Sequence, residues 1–332
     1  MQRGAASNGS LCFQTFLDRQ SHPSYQLAVP SLGREKVLCE QTLTLLRKYK
    51  WKMCNVHVFV DGLKRRDDGS CEYDNYYRHL KAHGFGEVQI HPGGDSLCAQ
   101  YARIFEFFRG ASCLCLASDT VSSLQWRRLS GSIATEDLPV DYLIPLVSLM
   151  FEQSVSAGFT TWSLAPCKSG RNMQPGHLSR KCGLLDGIFF GICLDRGEPV
   201  KLRESPYTTD VEMSVRTWMK DGGFLRFLGV TALHAYRSAG GHSVNGMTQS
   251  RRVVDTSDSI KSLARQFPTL IRYNSAKTSV KSMMYRFLPK GGRPIKVKQL
   301  YNARGRKPEY AARALTAAER QRRCRQRRQV KA

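Results

Sequence analysis

Short apolar runs alternate with amphipathic stretches through the first third of the chain, and each change of period is marked by proline, glycine or an acid. Strands are predicted over 25–29, 56–60, 87–90 and 112–121. Helices are predicted over 35–49, 73–82 and 97–108. In the first helix Val37, Leu38, Gln41, Leu45 and Leu46 recur at helical spacing and give one face that can lie on a sheet. Four strand–helix alternations in about 95 residues are the mark of an α/β fold with a doubly wound, largely parallel sheet.

The run SCLCLASDTV, residues 112–121, is the pivot of that pattern. Its small apolar residues, without charge or proline, suit a strand buried on both faces, and it stops at Asp119. In an open α/β sheet ligands bind at the carboxyl ends of the strands, so an acid there can meet a metal or a sugar hydroxyl. An acid that merely caps the next turn is the plain alternative.

Beyond it, a helix is predicted over 141–157, a strand over 158–164 and a polar loop over 167–181. The segment 183–194, GLLDGIFFGICL, reads as a strand with close backbone approach on one side. A helix over 210–220 ends at Asp221-Gly222-Gly223. It is followed by a strand over 224–228, a turn at Gly240-Gly241-His242 and a last helix over 252–267, stopped by Pro268. The expected organisation is a flexible arm over 1–22, one domain over 23–288, and a basic, disordered tail over 289–332 that binds nucleic acid.

Charge narrows the partners. The 51 basic and 27 acidic residues give +24. From Lys290 onward 15 basic residues face two acids, so +13 lies in the tail and +11 in the body. Both parts favour a polyanion. RGRKP at Arg304–Pro308 is an AT-hook-like core for a narrow minor groove, and Arg320–Arg328 is a phosphate clamp or nuclear-import signal. The 11 cysteines are scattered without a C-x-x-C spacing, which indicates reduced, mostly buried thiols. No apolar run reaches the roughly 20 residues that span a bilayer, and the N-terminus lacks a secretory leader. An intracellular protein is expected, nuclear in a eukaryote and otherwise in the cytoplasm or nucleoid.

Several segments in unbroken order between about 26 and 270 carry a more specific signal: PSLGREK after a strand, VHVFV, HPGG before a helix, the acid-ended strand, GIFFG, and DVEMSVRTWMKDGGFLRF. Together they resemble the TET-associated glycosyltransferases, relatives of the base J glucosyltransferase. The resemblance implies a GT-A-like fold, a Rossmann-type mixed sheet flanked by helices. It implies a nucleotide-sugar donor, UDP-glucose or similar, and a hydroxylated or hydroxymethylated pyrimidine in DNA as acceptor.

It also implies roles for particular residues. The turn from Pro30 through Gly33 to Arg34 offers backbone N–H groups and a cation to the donor diphosphate. Asp119 stands where such enzymes show Asp-x-Asp, with Thr120 beside it and the second acid missing. A Mg²⁺ or Mn²⁺ site is therefore left with one carboxylate, helped by hydroxyls, phosphates and water. Asp210 and Glu212 resemble the acidic catalytic segment and are the candidate general bases, Asp210 lying nearer the loop side. Acids also suit the first turn of any helix. His242 is the candidate C-terminal ligand for metal or diphosphate, and Gly222, Gly223 and Arg226 are expected near acceptor or donor. Asp186, inside an apolar stretch, must meet a cation or face the cleft. The competing function is a non-catalytic DNA-binding protein on a degenerate glycosyltransferase fold, and a weaker third is transfer to protein or a small glycan.

Overall fold

The structure is a computed structural model that describes residues 25–62, 65, 69–128, 133–166, 169–203, 208–234, 249–274, 285–287 and 295–296. The 1–22 arm, His242 and nearly all of the 289–332 tail lie outside the described residues.

The fold is α/β, built on a nine-stranded mixed sheet. The first half follows the alternation read from the sequence. Strand β1 (Gln26–Pro30) leads to a helix over 35–48, α1. Then come β2 (Val56–Val60), α2 (Glu72–Ala82), β3 (Gln89–Pro92), α3 (Leu97–Phe107) and β4 (Leu114–Ala117). These four strands are parallel, in the order β4-β1-β2-β3. Their carboxyl ends therefore share one edge, carrying Ser31, Asp61, Gly93 and Ser118.

The second half departs from a simple parallel winding. The strand expected over 112–121 breaks after Ala117: a turn at Asp119-Thr120 intervenes, and a separate strand, β5 (Val121–Arg127), begins. With β6 (Thr135–Asp137) and β11 (Val230–His234) it forms a small antiparallel sheet. After β6 come α4 (Leu143–Ser156), β7 (Thr161–Leu164), β8 (His177–Ser179), β9 (Phe189–Ile192), α5 (Thr209–Asp221) and β10 (Leu225–Phe227). Strand β9 inserts antiparallel between β4 and β7, and β10 runs parallel to β7. The helix α6 (Gln249–Gln266) and the hairpin β12 (Ile271–Tyr273)–β13 (Tyr285–Phe287) complete the body. One short strand inside the expected tail, β14 (Ile295–Lys296), pairs antiparallel with β8 at the sheet edge.

Strand alternation divides the core into two layers. Leu27, Val29, Cys115, Ala117 and Phe189 face the layer made with α1, α2 and α4. Ala28, Leu114, Leu116 and Phe190 face α3 and the Met213 side of α5. β4 is buried throughout, as a strand covered on both sides must be. The close approach expected in 183–194 is at Gly191, which pairs with Trp162. A β-carbon there would overlap the buried indole.

Candidate active site

The site is built where β1 and β4 end side by side. Asp119, 4 % exposed, accepts from Ser31 Oγ at 2.7 Å and forms an ion pair with Arg34 at 3.2 Å. Burial pushes its carboxyl above the usual range, against the pull of Arg34 and Ser31. The turn that presents it is pinned from α1. Thr42 Oγ1 donates to the Ser118 carbonyl and accepts from the Val121 amide, both at 2.9 Å. Thr42 sits in a π-helical turn, Cys39–Leu43, inside α1. Such turns reset the helical phase locally and recur at functional sites. Thr120 hydrogen-bonds Ser118 through the hydroxyls at 3.1 Å, so it braces the turn.

The turn after β1 is held from α2. Tyr76 is fully buried; its hydroxyl lies 2.7 Å from Ser31 Oγ and accepts from the Arg34 amide at 3.0 Å. The amide of Gly33, in the left-handed region at φ 62°, donates to Glu72. Gln100, from α3, donates to the Ser31 carbonyl at 3.0 Å. The amides of Gly33 and Arg34 expected to cradle a diphosphate thus serve α2, and the charge of the turn is delivered by the Arg34 guanidinium. Pro30 is the last residue of β1, aligned with Phe59.

Asp210 reaches the same place from the other side of the chain. It is the second residue of α5, and its carboxylate lies so close to Gly187 that any β-carbon there would overlap it. Gly187 and Asp186 immediately precede β9, and the neighbouring Ile188 carbonyl accepts from the Ser118 amide at 2.8 Å. Ser118 and Ile188 thereby continue the β4–β9 ladder into the site. Tyr101, from α3, marks the meeting point: burial, then the negative charges of Asp210, Asp119 and Asp186, push its hydroxyl up. Asp186 is 5 % exposed, and its Oδ1 accepts from the Ile188 amide at 3.4 Å. Part of Asp210 faces solvent, yet the protein around it desolvates its carboxyl and raises it to about 6.

Other candidates are placed elsewhere. Glu212 is 1 % exposed and holds Arg216 at 2.7 Å and the Arg203 amide at 2.8 Å, tying the start of α5 to the preceding segment. Gly222, at φ 70°, ends α5 and Gly223 abuts Phe159. A 13-residue helix is about 20 Å long, so these glycines sit at the far end from Asp210. Asp221 there bonds Thr160, before the amino end of β7. Arg226, on β10, donates to the Lys181 carbonyl at 2.9 Å and to Ser179 at 3.3 Å.

Ser31, Tyr76, Gln100 and Tyr101 are part of the site although no sequence signal singles them out. Ser31 alone had a pointer, its place in the PSLGREK turn.

A divalent cation would need several hard oxygen ligands. The Asp119 charge is already matched by Arg34, and among the described residues no three His, Cys, Asp or Glu side chains are grouped to hold a metal. Among the described residues it is the Arg34 guanidinium that supplies the counter-charge of Asp119.

No protein-family model matches the chain, and no curated protein sequence matches it. Solved structures do. The mannosyltransferase PcManGT from Pyrobaculum calidifontis, in complex with GDP-Man and Mn²⁺, is 9 % identical over 79 % of this chain and 73 % of its own, with a TM-score of 0.43. GalNAc-T7, with UDP, GalNAc and Mn²⁺, is 10 % identical over 76 % of this chain, with a TM-score of 0.47. The chain spans about half, 49 %, of the length of GalNAc-T7. Among the described residues no helix is long and apolar enough to cross a membrane.

Proposed function

We propose that this protein is a glycosyltransferase that moves a hexose from a nucleotide-sugar donor, UDP-glucose or a similar compound, to a hydroxylated or hydroxymethylated pyrimidine in DNA. The observation that carries the reading is the gathering of Arg34, Asp119, Asp186 and Asp210 at one edge of the sheet from four separated segments. Acids that converge beside a desolvated base are costly to stability, and catalysis is the usual reason for accepting that cost.

In this reading Arg34 meets the donor diphosphate, with Asp119 orienting the guanidinium through their ion pair. Asp186 accepts from sugar hydroxyls. Asp210 takes the proton of the acceptor hydroxyl as its oxygen bonds to the anomeric carbon. The bond from that carbon to the diphosphate oxygen breaks, and the nucleoside diphosphate leaves with the electron pair. A carboxyl that titrates near 6 is ionised at neutral pH and a stronger base than an ordinary aspartate. The acceptor base must leave the helical stack to reach this edge, and the strong positive charge of the chain supports DNA held in that distorted form.

The test is incubation with labelled UDP-glucose and related donors on duplexes carrying hydroxymethylcytosine or hydroxymethyluracil, beside unmodified duplex and peptide acceptors. Label in modified DNA only is expected. Donor binding without transfer to any acceptor would overturn the catalytic reading, and label in peptide would overturn the acceptor.

A further inference from the structure

Two cysteines 80 positions apart in sequence are brought together where neighbouring strands end, Cys113 just before β4 and Cys193 just after β9. The β4–β9 register pairs Leu114 with Ile192 and Cys115 with Gly191, and just beyond it the Leu194 and Asp195 amides both donate to the Ala111 carbonyl, so Cys113 and Cys193 are bracketed between the last strand pair and these bonds. Facing residues of antiparallel strands hold their α-carbons about 4.5–5.5 Å apart, and a disulfide requires about 4.4–6.8 Å.

The thiols are engaged with each other. A hydrogen bond shared by the two thiols is the main reason the Cys113 thiol is lowered below its ordinary range and the buried Cys193 thiol is raised. Cys113 is half-buried, whereas Cys193 is buried. The neighbouring thiol on the same face, Cys115, is fully buried and has only Gly191 opposite. Burial pushes it well up.

We propose that Cys113 and Cys193 form a reversible dithiol–disulfide couple, closed by a peroxide and opened by thiol reductants. The Cys113 sulfur attacks one oxygen of hydrogen peroxide and the O–O bond breaks. One water leaves, and Cys113 becomes a sulfenic acid. The Cys193 sulfur then attacks the Cys113 sulfur; the S–S bond forms, the S–O bond breaks, and a second water departs with the Cys193 proton. Two thiols are oxidised and one peroxide is reduced to two waters. The bond staples the amino end of β4 to the carboxyl end of β9, the two strands whose other ends carry Asp119 and the Asp186–Gly187 segment. The couple stands whether or not the transferase reading does.

The test uses the full chain, reduced, freed of reductant and treated with hydrogen peroxide. Tryptic cleavage gives one peptide with Cys113 and Cys115 and another with Cys182 and Cys193. Non-reducing mass spectrometry should find these two joined with the loss of two hydrogens, and fragmentation should place the link at 113–193. The thermal midpoint should rise by about 5–10 °C on oxidation and return with dithiothreitol. Cys113→Ser should lose both the link and the shift. Peroxide that converts Cys113 to a sulfinic acid without a linked peptide would overturn the proposal, as would a link through Cys115 or Cys182.

Discussion

Asp210 is costly to fold, and that cost has a measurable sign. Its carboxyl is raised from 3.8 to about 6, so the folded state holds the proton more tightly than the unfolded chain. The penalty is absent below pH 4, grows between 4 and 6, and is fully present above 6, amounting to roughly 2–3 kcal/mol. Asp210→Asn, similar in shape and uncharged, should stabilise the protein by about 1–3 kcal/mol at pH 8 and by nothing at pH 4, measured by urea unfolding at the two values. The same substitution should lower sugar transfer by about 10²–10⁴ while leaving donor affinity within a factor of two. Transfer by the unaltered protein should rise with pH through about 6, following ionisation of the base. Arg34→Ala should weaken donor binding by about tenfold or more, whereas a chelator should leave binding to the unaltered protein unchanged by calorimetry. Loss of binding in EDTA would return the counter-charge to a metal. Asp119 and Asp210 are singled out in the sequence because each is an acid at the boundary of an element inside the ordered segments that carry the resemblance. Tyr76 and Tyr101 could not: hydroxyls suit many surroundings, and only the packing of α2 and α3 on the sheet turns these toward Asp119.

The same division between local and long-range information runs through the elements. The parallel half of the sheet was legible because each strand is followed by the helix that returns the chain, and the period changes from 2 to 3.6 at every boundary. The antiparallel half was not. Strand β9 alternates with period 2 whichever way it runs, and its partners β4 and β7 precede it in sequence by 72 and 27 residues at their closest pairs. The small sheet β11-β5-β6 was missed as a unit because its register with the distant β11 leaves no local trace. Gly191 is the exception, since a glycine inside an apolar strand announces that something occupies the space of a side chain. Its occupant is the Trp162 indole, fully buried between β9 and α4. Gly191→Ala should cost about 1–3 kcal/mol by overpacking, read as a lower urea midpoint with an unchanged slope. Trp162→Leu in the same chain should recover part of that loss by vacating the space. Additive losses in the double variant would mean that the indole is not what the new methyl meets.

At the scale of the whole molecule the charge decides what can be held against the site edge. A net +24 is self-repulsion that a polyanion would relieve, and DNA is the polyanion of the proposed function. Binding to a short duplex, followed by fluorescence anisotropy, should therefore weaken by about 100-fold or more between 50 and 200 mM salt, as counterions compete for the phosphates. Where that affinity resides can be tested by shortening the chain, and the strand pairing says where to cut. Ile295 and Lys296 pair with β8, so removal of everything after 288 would strip a strand from the sheet as well as charge. Ending the chain at Lys296 keeps β14 and removes 12 basic residues and two acids. The shortened protein should keep its thermal midpoint and its donor affinity, and its salt slope on DNA should become shallower. Transfer should then show a raised KM for modified DNA with little change in kcat, since in the proposed function the reacting groups lie at the sheet edge and the removed charge only concentrates the substrate there. An equal fall in kcat would place part of the reacting machinery beyond Lys296.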